Sequence, residues 1–142
     1  MTIRRLIEGR EGAVVTCTTQ TSVSEAAAIL AERRIGALPV TEDGVLVGMF
    51  SERDVIYGLR ENGQSVLAMP VSTVMTAPAV TVEPDTSVLA ALSLMTRRRI
   101  RHLPVTSGAG MIGLVSISDL VKHRIDQIEA DDEAMRAYIQ NA

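Results

Sequence analysis

The sequence predicts an α/β protein built from two copies of one unit, each running strand, helix, strand, strand, helix. The copies are expected to pack about a pseudo-twofold axis and to be followed by an amphipathic C-terminal helix. Three observations predict this: the chain matches itself at an offset of 65 residues, each copy places a capped helical pattern between short strands, and those strands are too apolar for a wet face. The offset lays VVTCTTQTSVSEAAAILAERRIGALPV over AVTVEPDTSVLAALSLMTRRRIRHLPV and continues without a gap through GMFSERDV over GLVSISDL. Identical pairs include Val15/Val80, Thr21/Thr86, Val23/Val88, Ile35/Ile100, Pro39/Pro104, Gly48/Gly113, Ser51/Ser116 and Asp54/Asp119. Two copies of this length suit half-domains packed together, because solenoid repeats are shorter and more numerous. Such a pairing creates two equivalent clefts.

In the first copy VVTC is a short β-rich run. Ser22, with Glu25 three residues on, makes a capping box, and Val23, Ala26, Ala27 and Leu30 mark one helical face. The second copy repeats that face with Val88, Ala91, Leu92 and Met95, opened by Asp85 or Ser87. Each helix leads to a compact strand, ALPV or HLPV, then to a polar turn, TEDG or TSGAG, and to a second strand, VLVGMF or MIGLV. Their continuous apolar runs predict burial on both faces, with helices covering the sheet. Residues 57–79 carry Gly58, Asn62, Gly63, Pro70 and Pro78 and join the copies. The expected division is a first repeat with its N-terminal segment at 1–60, a linker at 61–73, a second repeat at 74–124 and a C-terminal helix at 125–142. From Asp119 onward Val121, Ile125, Ile128, Met135 and Ile139 form a narrow stripe that Asp132 interrupts, so a bend or solvation is expected there. That helix covers its own domain or another subunit.

With 142 residues, 46% hydrophobic and 22% charged, the chain is long enough for a packed core. The core must be aliphatic, since there is no Trp, one Phe and two Tyr. The same scarcity argues against base stacking, and a net charge of -3 argues against broad attraction to nucleic acid or anionic membranes. A lone cysteine, Cys17, forms neither an intrachain disulfide nor a cysteine zinc cluster. The start MTIRRLIEGREG lacks the apolar run of a signal peptide, and no stretch reaches the roughly 18 to 20 apolar residues of a membrane span. A soluble cytoplasmic protein is expected. Two histidines and one cysteine do not form a spacing typical of a hydrolase or a metal enzyme, no G-K-S/T loop is present, and the G-x-G-x-x-G match GAGMIG at 108–113 runs from the polar turn TSGAG into the strand MIGLV rather than from a strand into a helix, so a non-enzymatic role is expected.

The strongest local signal is G-x-x-S-x-x-D, present as Gly48, Ser51, Asp54 and again as Gly113, Ser116, Asp119. Each sits where a buried strand gives way to a helix. Unpaired amides of a first helical turn carry partial positive charge and suit a phosphate oxygen, and Ser adds a hydrogen bond. An Asp there repels phosphate but accepts from two ribose hydroxyls. Together these groups describe a nucleoside phosphate lying across a helix start. S-x-x-D is equally a capping box that needs no ligand, and duplication copies caps as faithfully as sites.

The h-x-T/V-x-x-x-x-S/T-V-x-x-A start, the R-x-x-x-L-P-V turn and the closing G-h-h-S-x-x-D, in tandem, resemble the cystathionine-β-synthase (CBS) domain pair, or Bateman module. The likeness runs from about Val14 to His123. It implies two sheets packed face to face and two clefts, each mixing both repeats, that bind adenosine derivatives: AMP, ADP, ATP, NAD or S-adenosylmethionine. By that resemblance one cleft takes Ser116, Ser118 and Asp119 for ribose and phosphate. Arg101 and His102 lie near, and the backbone around Val15, Cys17, Ile35, Gly36 and Ala37 meets the adenine. The other takes Ser51, Arg53 and Asp54 with Val80, Val82, Ile100 and Arg101. Met49 and Leu114 are apolar walls beside the base, and Pro39 and Pro104 of the L-P-V turns complete the set. The resemblance further implies a homodimer forming a flat four-repeat disc, and a regulated enzyme or transporter as partner.

The copies differ in charge. SERD offers Arg53 to a di- or triphosphate where SISD offers the hydroxyl of Ser118, and Gly36 and Ala37 stand where the second copy has Arg101 and His102. Arg97, Arg98 and Arg99 read as a solvated helix end, where cations are stabilising without a ligand. The expected function is a free-standing regulatory module in which an adenosine ligand shifts the arrangement of the pair. The alternative is a ligand-free structural interaction module whose S-x-x-D boxes only cap helices. A nucleic-acid site on Arg97 to Arg101 would declare itself by steep salt dependence.

Overall fold

The computed structural model describes residues 1–10, 12–108 and 110–141. Glu11, Ala109 and Ala142, which belong to the polar start, the TSGAG turn and the tail discussed above, lie outside the described residues. Helix α1 (Ile3–Ile7) precedes the first repeat, which runs β1 (Cys17–Thr18), α2 (Val23–Arg33), β2 (Ala37–Glu42), β3 (Val45–Ser51) and α3 (Glu52–Asn62). Two 3-10 turns, Gly63–Ala68 and Val71–Thr73, carry the chain to α4 (Val88–Arg98), β4 (His102–Ser107), β5 (Gly110–Ser116) and α5 (Ile117–Gln140).

The helix starts are where side chains can satisfy amides. Ser22 Oγ accepts from the Glu25 amide at 3.1 Å, and Ser87, rather than Asp85, accepts from the Ala90 amide at 3.0 Å. Both helices stop at an arginine forced into the left-handed region, Arg34 at φ 52° and Arg99 at φ 55°, after which the Ile35 and Ile100 amides donate back to Leu30 and Met95. Asp43 and Gly44 both have positive φ, the requirement of a two-residue hairpin turn, and this joins β2 to β3.

In the first sheet β1 pairs parallel with β2, and β2 antiparallel with β3. In the second, β4 pairs antiparallel with β5, and the register shifts fall at matching places, Val40/Thr41 and Val105/Thr106. The opening strand of the second repeat shrinks to one parallel bridge, Val82 to Val105. Proline supplies the reason. Pro84 stands where Thr19 donates its amide to Thr41 in the first copy, and a proline has no amide to give. β2 is buried from Ala37 to Val40 and β4 from Leu103 to Val105, as continuous apolar runs require, whereas β3 and β5 alternate toward their ends and leave Met49 and Leu114 partly accessible.

Two aliphatic cores result. Cys17, Val23, Ala26, Leu30, Leu38, Val40, Phe50, Val66 and Val71 form one; Ile3, Val82, Val88, Ala91, Met95, Leu103, Val105, Val115 and Leu120 form the other. Their membership crosses the chain order. The Val71 amide donates to Thr21 at 2.7 Å, and the Ile3 amide donates to Thr86 at 2.9 Å in the equivalent place. Residues 1–7, grouped with the first repeat by sequence order, therefore pack on the second, and the stretch around 66–75 fills the core of the first. α5 continues without a break across both position 125 and Asp132, whose carboxylate is held by Arg136 of the next turn at 3.1 Å, so no bend is needed to solvate it.

The close approach of these leading segments constrains two glycines. A Cβ at Gly48 would lie 2.8 Å from the Thr76 carbonyl oxygen and 2.9 Å from Met75 Sδ; at Gly113 it would meet the Ile7 side chain at 3.0 Å. Gly48→Ala is expected to destabilise by about 1–3 kcal/mol, because a main-chain carbonyl cannot step aside, and Gly113→Ala by less, because Ile7 can rotate. Urea denaturation of the two variants reads the order directly; equal midpoints would contradict it.

Candidate functional site

Each S-x-x-D box lies at a strand-to-helix junction, between β3 and α3 or between β5 and α5. The Ser51 amide donates to Asp54 Oδ2 at 2.8 Å and the Ser51 hydroxyl to the same oxygen at 3.2 Å. At the second junction the Ser116 amide donates to Asp119 Oδ2 at 2.9 Å, and the Asp119 amide to Ser116 Oγ at 3.1 Å. Capping is thus real at both. It occupies one edge of each carboxylate and leaves the surroundings to decide what else the group does.

Beside Asp54 those surroundings are a cleft of about 450 Å³ in which both repeats meet. This lies within the usual range for small-molecule sites, roughly 300–1,000 Å³. The first repeat contributes Gly36, Ala37, Met49 and the start of α3 from Ser51 to Asp54, with Tyr57 one turn on. The joining segment contributes Thr76 and Ala79, and the second repeat contributes Val80, Arg98 at the end of α4, the turn residues Arg99, Ile100 and Arg101, and His102 at the start of β4. Arg53 reaches across to donate to the Arg99 carbonyl at 3.1 Å. Four exposed arginines, 53, 98, 99 and 101, thus border the cleft together with two carboxylates, Glu52 and Asp54, on a wall otherwise made apolar by Met49, Val80 and Ile100. Burial pushes Asp54 above the ordinary carboxylate range, against the pull of hydrogen bonds from Ser51 and Thr76 and of the Arg53 charge.

His102 is held below its usual value, first by burial and then by the neighbouring Arg101, with Asp119 and Glu52 acting the other way. A Cβ at Gly36 would lie 3.0 Å from the His102 ring, so glycine there permits the approach of the two repeats.

The second junction is furnished differently. Arg10 places its guanidinium 3.0 Å from Asp119 Oδ2 and donates to the Leu114 carbonyl at 2.7 Å. In the first repeat the matching carbonyl, that of Met49, accepts from the Thr76 main chain at 2.9 Å. A side chain of the N-terminal arm therefore does at one junction what the linker backbone does at the other. Burial raises Asp119, but the Ser116 amide, the Arg10 charge and its hydrogen bond outweigh it, and the group sits below its ordinary value. With more than a third of each side chain exposed, the ion pair is worth no more than about 1 kcal/mol.

Of the residues singled out by sequence, Gly36, Ala37, Met49, Ser51, Arg53, Asp54, Val80, Ile100, Arg101 and His102 line the one cleft. Gly36, Ala37 and His102 stood with the other cleft in the sequence reading. Ser116 and Asp119 meet Arg10, Leu114 supplies its carbonyl, and Ser118 is exposed. Cys17, Val82, Pro39 and Pro104 are buried, and Val15 and Ile35 pack on the first core. Burial also lifts the Cys17 thiol to about 11. Sequence reasoning passed over Glu52, Tyr57, Thr76 and Ala79; Arg98 and Arg99 are exposed, as expected of the solvated helix end, and also border the cleft. Tyr57 alone had a signal, its helical i+3 spacing from Asp54; Arg98 and Arg99 border the cleft where α4 ends at the left-handed Arg99, whose carbonyl accepts from Arg53.

A family model for the CBS domain matches residues 12–61 and 71–126, and the chain belongs to that family. It is 37% identical over 135 residues to the mitochondrial CBS domain-containing protein CBSX3 of Arabidopsis thaliana, covering 92% of this chain and 66% of that one, so the chain spans just under two thirds of that relative. It is 31% identical over 128 residues to the CBS domain-containing protein YhcV of Bacillus subtilis, covering 90% and 91%. A crystal structure of a CBS-domain containing protein from Agrobacterium tumefaciens superposes with a TM-score of 0.82 at 35% identity over 87% of this chain and 92% of that one. CBSX2, solved in complex with AMP, superposes with a TM-score of 0.76 at 26% identity, over 90% and 98%. Among the described residues no helix is long and apolar enough to cross a membrane.

The two aspartates, alike in sequence, carry opposite shifts and so opposite linkage. Asp119, lower in the folded chain than in the unfolded one, contributes stability that is present above about pH 4 and lost as the pH falls through its folded value. Asp54, raised by folding, binds its proton more readily in the native state, so stability is gained at this group on acidification. Urea midpoints measured from about pH 7 to about pH 3 should therefore show Asp119→Asn flattening the acid loss and Asp54→Asn steepening it. Shifts of the same sign in both variants would contradict the assignment.

Proposed function

We propose that this chain is a regulatory module that binds an adenosine nucleotide, drawn from AMP, ADP, ATP, NAD and S-adenosylmethionine, in the cleft beside Asp54. The observation that carries the reading is an open cleft of about 450 Å³ bordered by a helix start, its carboxylate and four arginines. In this reading Asp54 accepts from the ribose hydroxyls, Ser51 and the first amides of α3 meet a phosphate oxygen, and Arg53 and Arg101 neutralise phosphate charge. Met49, Val80 and Ile100 pack on the adenine. CBSX2 with AMP supports a ligand of this class.

The Asp119 cleft, with Ser116, Ser118 and Leu114, is the weaker site, because a ligand there has to displace Arg10. Binding favours one arrangement of the two repeats and so alters docking on a regulated enzyme or transporter, with the module itself working as a homodimer and catalysing nothing.

Calorimetric titration of the folded chain with the five ligands tests this. One site per chain is expected, and Asp54→Ala should weaken it by roughly 10- to 150-fold, the loss of a charged hydrogen bond worth about 1.5–3 kcal/mol. Arg10→Ala should raise the stoichiometry to two. No heat from any ligand at millimolar concentration would reject the reading. An Asp54→Ala variant with a lowered Tm and unchanged affinity would leave the boxes as caps alone.

A further inference from the structure

α5 outruns the body it covers. Leu120 is its buried residue, and every residue from Ile128 to Asn141 is exposed. A free helix of that length is marginal in water, because propagation scarcely repays the cost of nucleation. Of its exposed large apolar residues, Val121, Ile125, Ile128, Met135 and Ile139 follow one spacing, with Tyr138 beside them. With Asp132 they fall at alternating steps of four and three, the spacing of a coiled-coil seam: Val121, Ile128 and Met135 at d, and Ile125, Asp132 and Ile139 at a. At 3.6 residues per turn this seam lies roughly 100° around the helix from Leu120, clear of the core.

The flanking charges select the occupant and its direction. Positions g hold Arg124, Asp131 and Tyr138, and positions e hold Lys122, Glu129 and Arg136. In a parallel pair each g residue faces the e residue five further along the other helix, so Arg124 meets Glu129 of a second copy, and Asp131 meets Arg136 of a second copy. In an antiparallel pair e faces e and g faces g, which sets Lys122 against Arg136, Glu129 against Glu129 and Asp131 against Asp131, all alike in sign. Within one chain Arg136 already holds Asp132 at 3.1 Å, and Lys122 lies 3.7 Å from Asp126. Parallel pairing also sets the two Asp132 carboxylates against each other at a, a like-charge contact that costs stability and that Arg136, 3.1 Å from Asp132 in its own chain, partly offsets.

We propose that residues 121–139 of α5 form a parallel, in-register two-stranded coiled coil with the same helix of a second copy. This rests on the reading of the module as a homodimer, and names the surface that makes it.

Sedimentation equilibrium of the full chain tests it, with circular dichroism to confirm that each variant is folded. Ile128→Asp should raise the dimer dissociation constant by roughly 100-fold or more, since both copies lose an apolar seam contact and gain a buried charge. Glu129→Arg should weaken association and Arg124→Glu added to it should restore the affinity, a rescue that only parallel pairing predicts. Asp132→Ile should tighten the dimer. Met135→Cys should cross-link to itself on oxidation, as facing d positions allow, and the buried thiol of Cys17 does not compete. A wild-type chain that stays monomeric overturns both this proposal and the homodimer reading, and points to a different protein as the occupant of the seam. A dimer that survives Ile128→Asp, or that fails to cross-link through Met135→Cys, overturns the coiled coil alone.

Discussion

The amides of Ile3 and Val71 donate to Thr86 and Thr21, and through those two bonds each half of the molecule is closed by the segment that leads into the other half. Neither repeat is a finished unit as the chain presents it. The first lacks Val66 and Val71 until the linker folds back, and the second lacks Ile3 until the N-terminus crosses over. Buried backbone donors have to find partners, and apolar side chains at the head of each segment have to find cores. Both demands are met by the same crossing, which brings the linker to the Asp54 junction and the N-terminal arm to the Asp119 junction.

The unlike furnishing of the two junctions follows from that placement. Thr76 and Arg10 arrive at matching carbonyls, those of Met49 and Leu114, but one bonds through its backbone and the other through a guanidinium. A backbone contact leaves the neighbouring carboxylate to its own burial, and Asp54 is pushed up. A guanidinium contact brings a charge with it, and Asp119 is drawn down. Gene duplication made the two S-x-x-D boxes the same, and what flanks the repeats made them different. The arginines gathered at the open cleft come from opposite repeats and meet where α4 ends in a left-handed residue, Arg99, beside the strand that Arg53 follows.

The caps deserve equal standing with the cleft in any account of these aspartates. Both boxes are complete without a ligand, so their recurrence speaks for helix starts as much as for a site. The difference lies in the space around them. Room for a nucleoside, an apolar wall and an excess of arginine are properties of the Asp54 cleft as a whole, and no single residue carries them.

The repeat, the capped helices, the DG hairpin and the apolar strands were legible in the amino-acid order because each depends on neighbours a few residues apart: hydrogen-bond reach at a helix start, positive φ at a turn, periodicity along one face. The aspartates and Arg53 were legible for the same reason, as was the stripe on α5, whereas Met49, Val80 and Ile100 followed only from the resemblance to the family, because they are gathered from both repeats. Tertiary structure decided what depends on residues far apart in the chain. It set residues 1–7 on the second repeat, gave Asp119 to Arg10, placed the exposed Arg98 and Arg99 at the edge of the cleft, and reduced the opening strand of the second repeat to one bridge where Pro84 withholds a donor. A local pattern states which groups need partners; only the folded chain assigns them, because burial and charge act through space and take no account of sequence separation.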